Sequence, residues 1–394
     1  MATLFRKLFP TPHVLTMDAG GVEISGRSVK YFRFEDRDGR REIASFGVVE
    51  LPDGALKDGD ICDPAALARA LATVRARCGF SFVHASLPEQ KGYLFDVAVP
   101  RDASLSLSDR VVLTLPEHVP LSPAESVFDC QSIRAESDEA TSSVVVTVFP
   151  ETVALAYVDA LTAGGFFPLS FELEPQAAAR AVLLGTPMHS ACLLVDFGAN
   201  KTILSIVHNG AVRFTTSTEG TMSIDAALAQ GAKAKVALVK SARGKNAKEA
   251  EPSAQDTGPV RDEDVERLKD EEGLSPGSSV ADMILPAALA LATEMKRVLV
   301  YWQSRGPLLS DEEGRPAGDT IGREKIESAI LYGGNANVRG LTDYLSSAVG
   351  IPCELADLRS ALGGETTVPA LPKDRSFQYA TVIGLAMRAN DAII

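Results

Sequence analysis

Apolar and polar residues alternate at the start of the chain, and this alternation predicts a β-hairpin. It runs through 22–34 and again through 42–49, and the charged residues 35–40 between them have the composition of a turn. Helical spacing of leucine and valine predicts a helix over 64–78, and residues 82–87 form an apolar run typical of a strand. The chain therefore begins as a small α/β unit.

A second strand-turn-strand pattern, over 193–212, repeats the logic of the first. Between the two, residues 92–168 have the patterns of a strand, an amphipathic helix, two further strands and a helix, which together predict a compact α+β insert. A long helix is predicted over 285–303, and a strand at 330–332 opens a closing run of helix, strand and helix. The pattern thus predicts two related halves, with an insert in the first.

Two segments depart from this regular pattern. Residues 1–12 form a short tail with apolar residues beside Arg6 and Lys7; we expect it to pack on its own domain or to fray, a weak membrane or partner contact being the alternative. Residues 231–282 are first basic and then acidic, which predicts a partly disordered surface excursion. A solvated loop and a contact with another protein both fit that excursion.

Composition narrows the class of protein. The chain has 394 residues, 45% of them hydrophobic, and no apolar run approaches the roughly 20 residues that cross a bilayer, so we expect a soluble protein of at least two lobes. A net charge of −13 argues against nucleic acid as a partner. The five cysteines lack metal-ligand spacing, so we expect no zinc site and a reducing, cytoplasmic environment.

The turn of the second hairpin carries the first candidate chemistry. Gly198 lets the backbone pass close to a bound anion, and Asp196, at the end of the preceding strand, can orient a hydrated Mg²⁺. An ordinary hairpin with a polar tip is the alternative at this point. Gly333 and Gly334, between a strand and a helix, form a second turn that can lie flat against adenosine.

Several segments together resemble a known family. They are the glycine turns above, the opening hairpin at 21–30, the segments 118–120 and 127–131, the run at 171–180 and the last helix at 380–388. The chain resembles the PilM family of type IV pilus assembly proteins, within the actin/FtsA-like ATPase superfamily. The resemblance implies an α/β fold of the actin-like type, in which a ribonuclease H-like unit is duplicated, with an FtsA-type inserted α+β subdomain.

The resemblance also implies how the chain divides. Residues 1–12 are an N-terminal tail. The first core subdomain comprises 13–91, 169–188 and 376–394, and the insert is 92–168. The second core subdomain comprises 189–219 and 326–375, and 220–325 form a peripheral subdomain of the second lobe. The charged excursion at 231–282 falls in this peripheral subdomain.

A site for ATP and Mg²⁺ between the lobes is implied as well. The implied nucleotide contacts are Ser25, Gly26, Arg27 and Ser28 in the first phosphate loop, Gly198, Ala199, Asn200, Lys201 and Thr202 in the second, Gly333, Gly334 and Asn335 at adenosine, and Glu294 and Arg297 at ribose and adenine. Asp196 and Glu23 would hold Mg²⁺ through water. An ordinary surface ion pair is the alternative for Glu294 and Arg297.

Hydrolysis of ATP is expected to be slow or absent. Glu174, at a helix start, would position the attacking water, although a carboxylate favoured by the helix dipole explains this residue equally well. Glu23 and Ser25 stand where the family has Asp and Gly, and their extra atoms would crowd the terminal phosphates.

Partners follow from the same resemblance. PilM-type proteins lie under the inner membrane and receive the cytoplasmic N-terminal tail of the membrane protein PilN in a groove, which here would be built from residues within about 80–168. Other pilus assembly proteins are expected partners, and association with the inner membrane would pass through them. The alternatives are an FtsA-like division filament, which needs a C-terminal membrane helix that the sequence does not show, and a small-molecule kinase, which needs an additional carboxylate base.

Overall fold

The computed structural model describes residues 18–37, 40–100, 104–133, 141–184, 191–199, 201–219, 224, 228, 262–275, 277–278, 280–304, 324–358, 361–362, 371 and 373–391. The predicted tail at 1–12 and most of the predicted excursion at 231–282 lie outside these residues, as does Asn200. Within the described part of the chain, no helix is long and apolar enough to cross a membrane.

The first lobe is built on a five-stranded sheet. Its strands are β1 (Ala19–Ile24), β2 (Ser28–Arg37), β3 (Arg40–Glu50), β6 (Phe82–Leu87) and β10 (Phe167–Leu173), in the order β10-β6-β1-β2-β3. β1 runs antiparallel to β2 and parallel to β6. A short ribbon of β4 (Leu56–Lys57) and β5 (Asp60–Ile61) lies outside this sheet.

The strand predicted over 22–34 is two strands, β1 and β2. The chain reverses at Ser25, whose backbone N–H donates to the carbonyl of Ser28 at 2.9 Å. The predicted charged turn at 35–40 therefore joins the second and third strands of the lobe, and a tighter turn at 25–27 joins the first and second. The sequence does mark this reversal, because the run Ser25-Gly26-Arg27-Ser28 interrupts the apolar spacing.

The second lobe repeats the topology of the first. Its strands are β11 (Ala191–Phe197), β12 (Lys201–His208), β13 (Ala211–Glu219), β14 (Ile326–Tyr332) and β15 (Cys353–Leu355), in the order β13-β12-β11-β14-β15. In each sheet the first strand is central, an antiparallel hairpin flanks it on one side, and two parallel strands flank it on the other. The two predicted halves are thus present as a structural duplication.

The insert has a small core of its own. It is a sheet of β7 (Tyr93–Pro100), β8 (Ser126–Ser132) and β9 (Thr141–Pro150) in the order β7-β9-β8, with the helix α2 (Leu107–His118) packed on it. The next helix, α3 (Glu151–Ala163), packs in the first-lobe core together with α1 (Pro64–Cys78). β8 is an edge strand of the insert sheet.

The remaining helices cover and connect the lobes. They are α4 (Glu174–Val182), α5 (Asp262–Glu271), α6 (Ala281–Ser304), α7 (Leu341–Val349) and α8 (Ala380–Asp391). α4 and α8 share an apolar cluster with strands of both lobes, so they join the two halves. The prediction of a partly disordered excursion is wrong at α5, because this part of the charged stretch is a helix with Val265 and Lys269 buried.

Candidate functional site

The two hairpin turns of the lobes form the walls of a cleft. In the first, Ser25 closes the turn, since its side chain donates to the carbonyl of Ser28 at 3.0 Å. Gly26 and Arg27 are exposed at the tip, and a Cβ added to Gly26 would meet no heavy atom within 4 Å. The four predicted residues of the first phosphate loop therefore lie together in one turn with open space above it.

A buried ion pair lies directly behind this turn. Lys30 donates to the carboxylate of Glu23 at 3.0 Å, and Glu23 is 7% exposed. Burial alone would lower the pKa of Lys30, but the charge and hydrogen bond of Glu23 outweigh it and raise that pKa. The second carboxylate oxygen of Glu23 is buried and has no hydrogen-bond partner among the described residues. Lys30 was missed as a site residue, although it stands in the opening motif.

The second turn brings Asp196 to the same cleft. The backbone N–H of Gly198 donates to the carbonyl of Lys201 at 3.1 Å, and a Cβ on Gly198 would lie 2.7 Å from that oxygen. Burial raises the pKa of Asp196 to about 7, and the charges of Glu23 and Glu174 act in the same direction. Carboxyl groups of both lobes therefore meet here.

An ion pair crosses the cleft from one lobe to the other. Lys201 donates to Glu174 at 2.6 Å and to the side-chain carbonyl of Gln90 at 3.0 Å. Glu174 also accepts from the backbone N–H of Glu89 at 3.4 Å. Burial would lower the pKa of Lys201, but the pairing with Glu174 outweighs it and raises the pKa. Gln90 and Glu89 are further cleft residues that the sequence reasoning missed, because no motif marks them.

The predicted adenosine turn abuts the second phosphate turn. Gly333 has φ of +92°, and a Cβ there would collide with the carboxylate of Asp196 and lie 2.8 Å from the carbonyl of Phe197. Next to Gly334 there is open space. Asn335 is fully buried, and its side-chain N–H donates to the carbonyl of Gly198 at 3.0 Å. The Asn335 side chain thus ties the two turns together.

Glu294 and Arg297 lie on one face of α6. They form an ion pair of 3.3 Å, in which the Arg297 side chain is 73% exposed and that of Glu294 is 19% exposed. Among the described residues, neither makes a hydrogen bond to the glycine turns. The structure therefore shows an i,i+3 pair at the surface, and a role at ribose and adenine stays a prediction.

The residues of the cleft suit a hydrated Mg²⁺. Glu23 offers a buried oxygen without a hydrogen bond, the Asp196 carboxyl lies close enough for the two charges to interact, and hard oxygen donors are what this ion prefers. In the described part of the chain there is no group of three or more side chains able to hold a metal directly. Since Mg²⁺ keeps several waters and takes few protein ligands, Glu23 and Asp196 would hold it through water.

A groove of about 650 Å³ lies beside the cleft, between the insert, α4 and the tip of the second-lobe hairpin. Its floor carries a buried carboxylate, Glu172, which accepts two hydrogen bonds of 2.8 Å from Arg180. Arg388 approaches the same carboxylate at 3.5 Å. The larger apolar side chains that line the groove are Val127, Phe128, Val145, Phe149, Phe171, Leu183, Leu184, Val207 and Val212.

Only part of this groove comes from the predicted stretch 80–168. β8 and β9 form one wall, and α4 and the β12-β13 hairpin form the others. A fully buried ion pair holds the insert against that hairpin. In it, Nε of Arg213 lies 2.6 Å from Oδ1 of Asp96. The groove is therefore assembled from three parts of the molecule that are distant in sequence, which local patterns do not reveal.

Comparison with known proteins identifies the fold. No protein-family model matches the chain. The chain is similar to the PilM-PilN type IV pilus biogenesis complex at 19% identity, over 95% of this chain and 98% of that one, with a TM-score of 0.70. The chain has a PilM-like, actin-type fold. The predicted fold class is thereby confirmed.

Other solved structures are similar at a lower level. MreB5 of Spiroplasma citri bound to AMPPNP gives a TM-score of 0.49 at 12% identity, over 96% of this chain and 97% of that one. EutJ from Carboxydothermus hydrogenoformans gives 0.48 at 14% identity, over 93% and 88%. The PilM-like fold rests on the first comparison.

Proposed function

We propose that this chain is a cytoplasmic nucleotide-binding component of the inner-membrane assembly platform of a type IV pilus, or of a related competence or secretion system. It binds ATP with Mg²⁺ in the cleft and the cytoplasmic N-terminal tail of a PilN-like membrane protein in the groove. The observation that carries the proposal is the likeness to PilM of the PilM-PilN complex over 95% of the chain.

The cleft supports nucleotide binding through its backbone and its charges. The turn at Gly26 has open space beside it, so a phosphate oxygen has room to approach the backbone there, whereas the backbone N–H of Gly198 is already donated to the carbonyl of Lys201. Glu23 and Asp196 hold the hydrated Mg²⁺, whose chemistry is to neutralise phosphate charge. The open space beside Gly334 takes the adenosine.

The same geometry supports slow or absent hydrolysis. Glu174 is the candidate for polarising water, but its Oε2 accepts from Lys201 at 2.6 Å and from the backbone N–H of Glu89 at 3.4 Å. An oxygen that already accepts two hydrogen bonds is poorly placed to take a proton from an attacking water. We infer that the chain uses ATP mainly as a bound ligand, with Glu174 closing the lobes.

The groove supports an extended peptide. β8 is the edge strand of the insert sheet, and among the described residues no strand pairs with its outer edge, where the backbone N–H of Cys130 donates to the Asp129 carboxylate at 2.8 Å. The apolar walls take alternate side chains, and the polar floor at Glu172 and Arg180 takes a polar one. Peptide binding of this kind would bring the chain to the inner membrane, where other pilus assembly proteins could join it.

The proposal is tested by calorimetric titration of the full chain with Mg-AMPPNP and with a synthetic peptide of a PilN-like tail. We expect both to bind. Asp196→Asn should weaken only nucleotide binding, by about tenfold or more, because it removes a charged acceptor. Val127→Asp should weaken only peptide binding, by about tenfold, because it places a charge in an apolar wall.

A matched control is Leu113→Asp, which puts the same charge on an apolar residue that is 70% exposed on α2, outside the groove. It should change neither affinity. The proposal fails for the groove if the tail peptide does not bind the wild-type chain with or without nucleotide. It fails for the cleft if Mg-AMPPNP does not bind.

A further inference from the structure

One long face of α6 is exposed and carries apolar side chains. Leu285 is 42% exposed and Leu289 is 57% exposed, whereas the opposite face of the helix is buried in the core of the second lobe. Single exposed leucines are common on protein surfaces, but these two lie one turn apart on the same side of one helix. Thr293, which is exposed as well, extends this outer face by a further turn.

The outer face of α6 also carries opposite charges at its two ends. Asp282 lies seven residues before Leu289, and Lys296 lies seven residues after it, so the three side chains are nearly two helical turns apart and point the same way. All three are exposed. In the part of the chain that the structure describes, neither Asp282 nor Lys296 makes an ion pair.

This pattern is complementary to itself when it is reversed. If a second copy of α6 lies antiparallel, with both Leu289 side chains at the twofold axis, each Asp282 faces Lys296 of the other copy, because both lie about 10 Å from the axis. Leu285 then lies opposite Thr293 of the other copy. A parallel pair would instead bring Asp282 against Asp282, so the charges favour the antiparallel arrangement.

We propose that the outer face of α6 is a self-association surface, through which two copies of this chain form a twofold antiparallel dimer. Leu289 lies at its centre, and each Asp282 pairs with Lys296 of the second copy. The inference goes beyond the proposed function, and its tests use neither nucleotide nor tail peptide.

The dimer is expected to be weak. The two helices overlap over residues 281–297, a length of about 25 Å. Such a contact buries less than the roughly 1,200 Å² of stable interfaces, so we expect a Kd on the order of 10–100 µM. Chains that partners hold close together would associate more readily, because tethering raises the effective concentration to about the millimolar range.

Sedimentation velocity of the full-length chain, over roughly 1–300 µM, tests the surface. We expect the wild type to pass reversibly from monomer to dimer. Leu289→Asp should weaken this association by about tenfold or more, because it places two like charges at the axis. A wild type that stays monomeric throughout, or a Leu289→Asp variant that dimerises like the wild type, would overturn the inference.

The matched control is Val300→Asp. Val300 is 64% exposed and lies on the same side of α6, but beyond the overlap of the two helices. The same substitution there should leave the association of the wild type unchanged. If it weakens the dimer as much as Leu289→Asp does, the helices do not pair in this register and the inference is wrong.

Charge reversal tests the register directly. Asp282→Lys and Lys296→Asp each bring like charges together twice, so each should weaken the dimer by about three- to tenfold. An equimolar mixture of the two variants should restore it, since both ion pairs of the mixed dimer again join opposite charges. The double variant, Asp282→Lys with Lys296→Asp, should associate like the wild type for the same reason.

A general effect of net charge would give a different result. The net charge of −13 becomes smaller in magnitude in Asp282→Lys and larger in Lys296→Asp, so repulsion between whole chains would move the two variants in opposite directions. That outcome, or a mixture that associates no better than either variant alone, would contradict the proposed dimer. All the substituted side chains are exposed, and thermal unfolding of each variant checks that it is folded.

Discussion

At the scale of single residues, the cleft is defined by its charge. Glu23 pairs with Lys30 and Glu174 with Lys201, while burial holds the pKa of Asp196 at about 7. The cleft thus carries more carboxyl groups than lysines. A nucleotide that arrives without a divalent cation would add further negative charge, whereas a bound cation favours the ionised form of Asp196. We therefore expect binding to depend on Mg²⁺.

A buried histidine near the groove floor gives a pH-dependent stability. His84 is 4% exposed, its Nδ1 lies 2.7 Å from the Ser170 hydroxyl, and burial, together with the positive charges of Arg388 and Arg180, lowers its pKa to about 4 against the opposing charge of Glu172. The unfolded chain therefore takes up a proton near pH 6.5 that the folded chain refuses until about pH 4.

Stability should consequently fall as the pH drops through that window, with His84 contributing about 1–3 kcal/mol of the loss. His84→Asn removes the titration, so its pH dependence should be flatter than that of the wild type when denaturant midpoints are compared at several pH values. An equal slope in His84→Asn would contradict the assignment.

At the scale of elements, the contact between α4 and α8 sets the position of both sites. A Cβ added to Gly384 would collide with the carbonyl of Ala177, and Arg180 donates to the carbonyl of Gly384 at 2.9 Å. Glycine is therefore required by the approach of the two helices. α4 carries Glu174 into the cleft and Arg180 into the groove, so a change in this contact would move residues of both.

Gly384→Ala tests that contact, because the sign of the change in the free energy of unfolding depends on how closely the two helices approach. In an ordinary helix interior this substitution stabilises by about 1 kcal/mol, because alanine has the higher helix propensity. Here we expect a loss of about 1–3 kcal/mol, since the added methyl group forces the helices apart. Thermal or denaturant unfolding measures the difference, and a gain in stability would show that the helices are not in close contact at this glycine.

The bounds of a helix are predicted well from the sequence when the residues that start it and end it can both be recognised there. The helix predicted over 64–78 is α1 with those bounds, because Asp63 accepts from Ala66 in its first turn and Gly79 ends it with φ of +77°. α5 is hidden, since its acidic run resembles a solvated stretch. The pair of Glu174 and Lys201 joins residues 27 positions apart and in different lobes, and no local pattern encodes such a contact.

At the scale of the whole molecule, the cleft and the groove share their walls. α4 begins at Glu174 in the cleft and presents Arg180 to the groove, while β12 begins at Lys201 in the cleft and ends beside Val207 in the groove. A change in the angle between the lobes would therefore alter both sites together. The contact of Asp96 with Arg213 holds the insert, and with it the third wall of the groove, against the second lobe.

Breaking that contact should affect stability and peptide binding together. Both side chains are 2% exposed, so Arg213→Met leaves the Asp96 carboxylate buried without its guanidinium and should cost about 3–5 kcal/mol. Lys91→Met breaks an ion pair of similar length, 2.8 Å, with Asp60, whose side chain is 64% exposed, and should cost less than about 1 kcal/mol.

Replacing both buried partners, as Asp96→Leu with Arg213→Met, should recover much of the stability, because no charge remains buried. If the ion pair also sets the groove, this double variant should still bind a PilN-like tail peptide more weakly than the wild type in a calorimetric titration, since an apolar contact fixes the angle of the insert less strictly. Wild-type affinity in a folded double variant would mean that the ion pair contributes to stability alone.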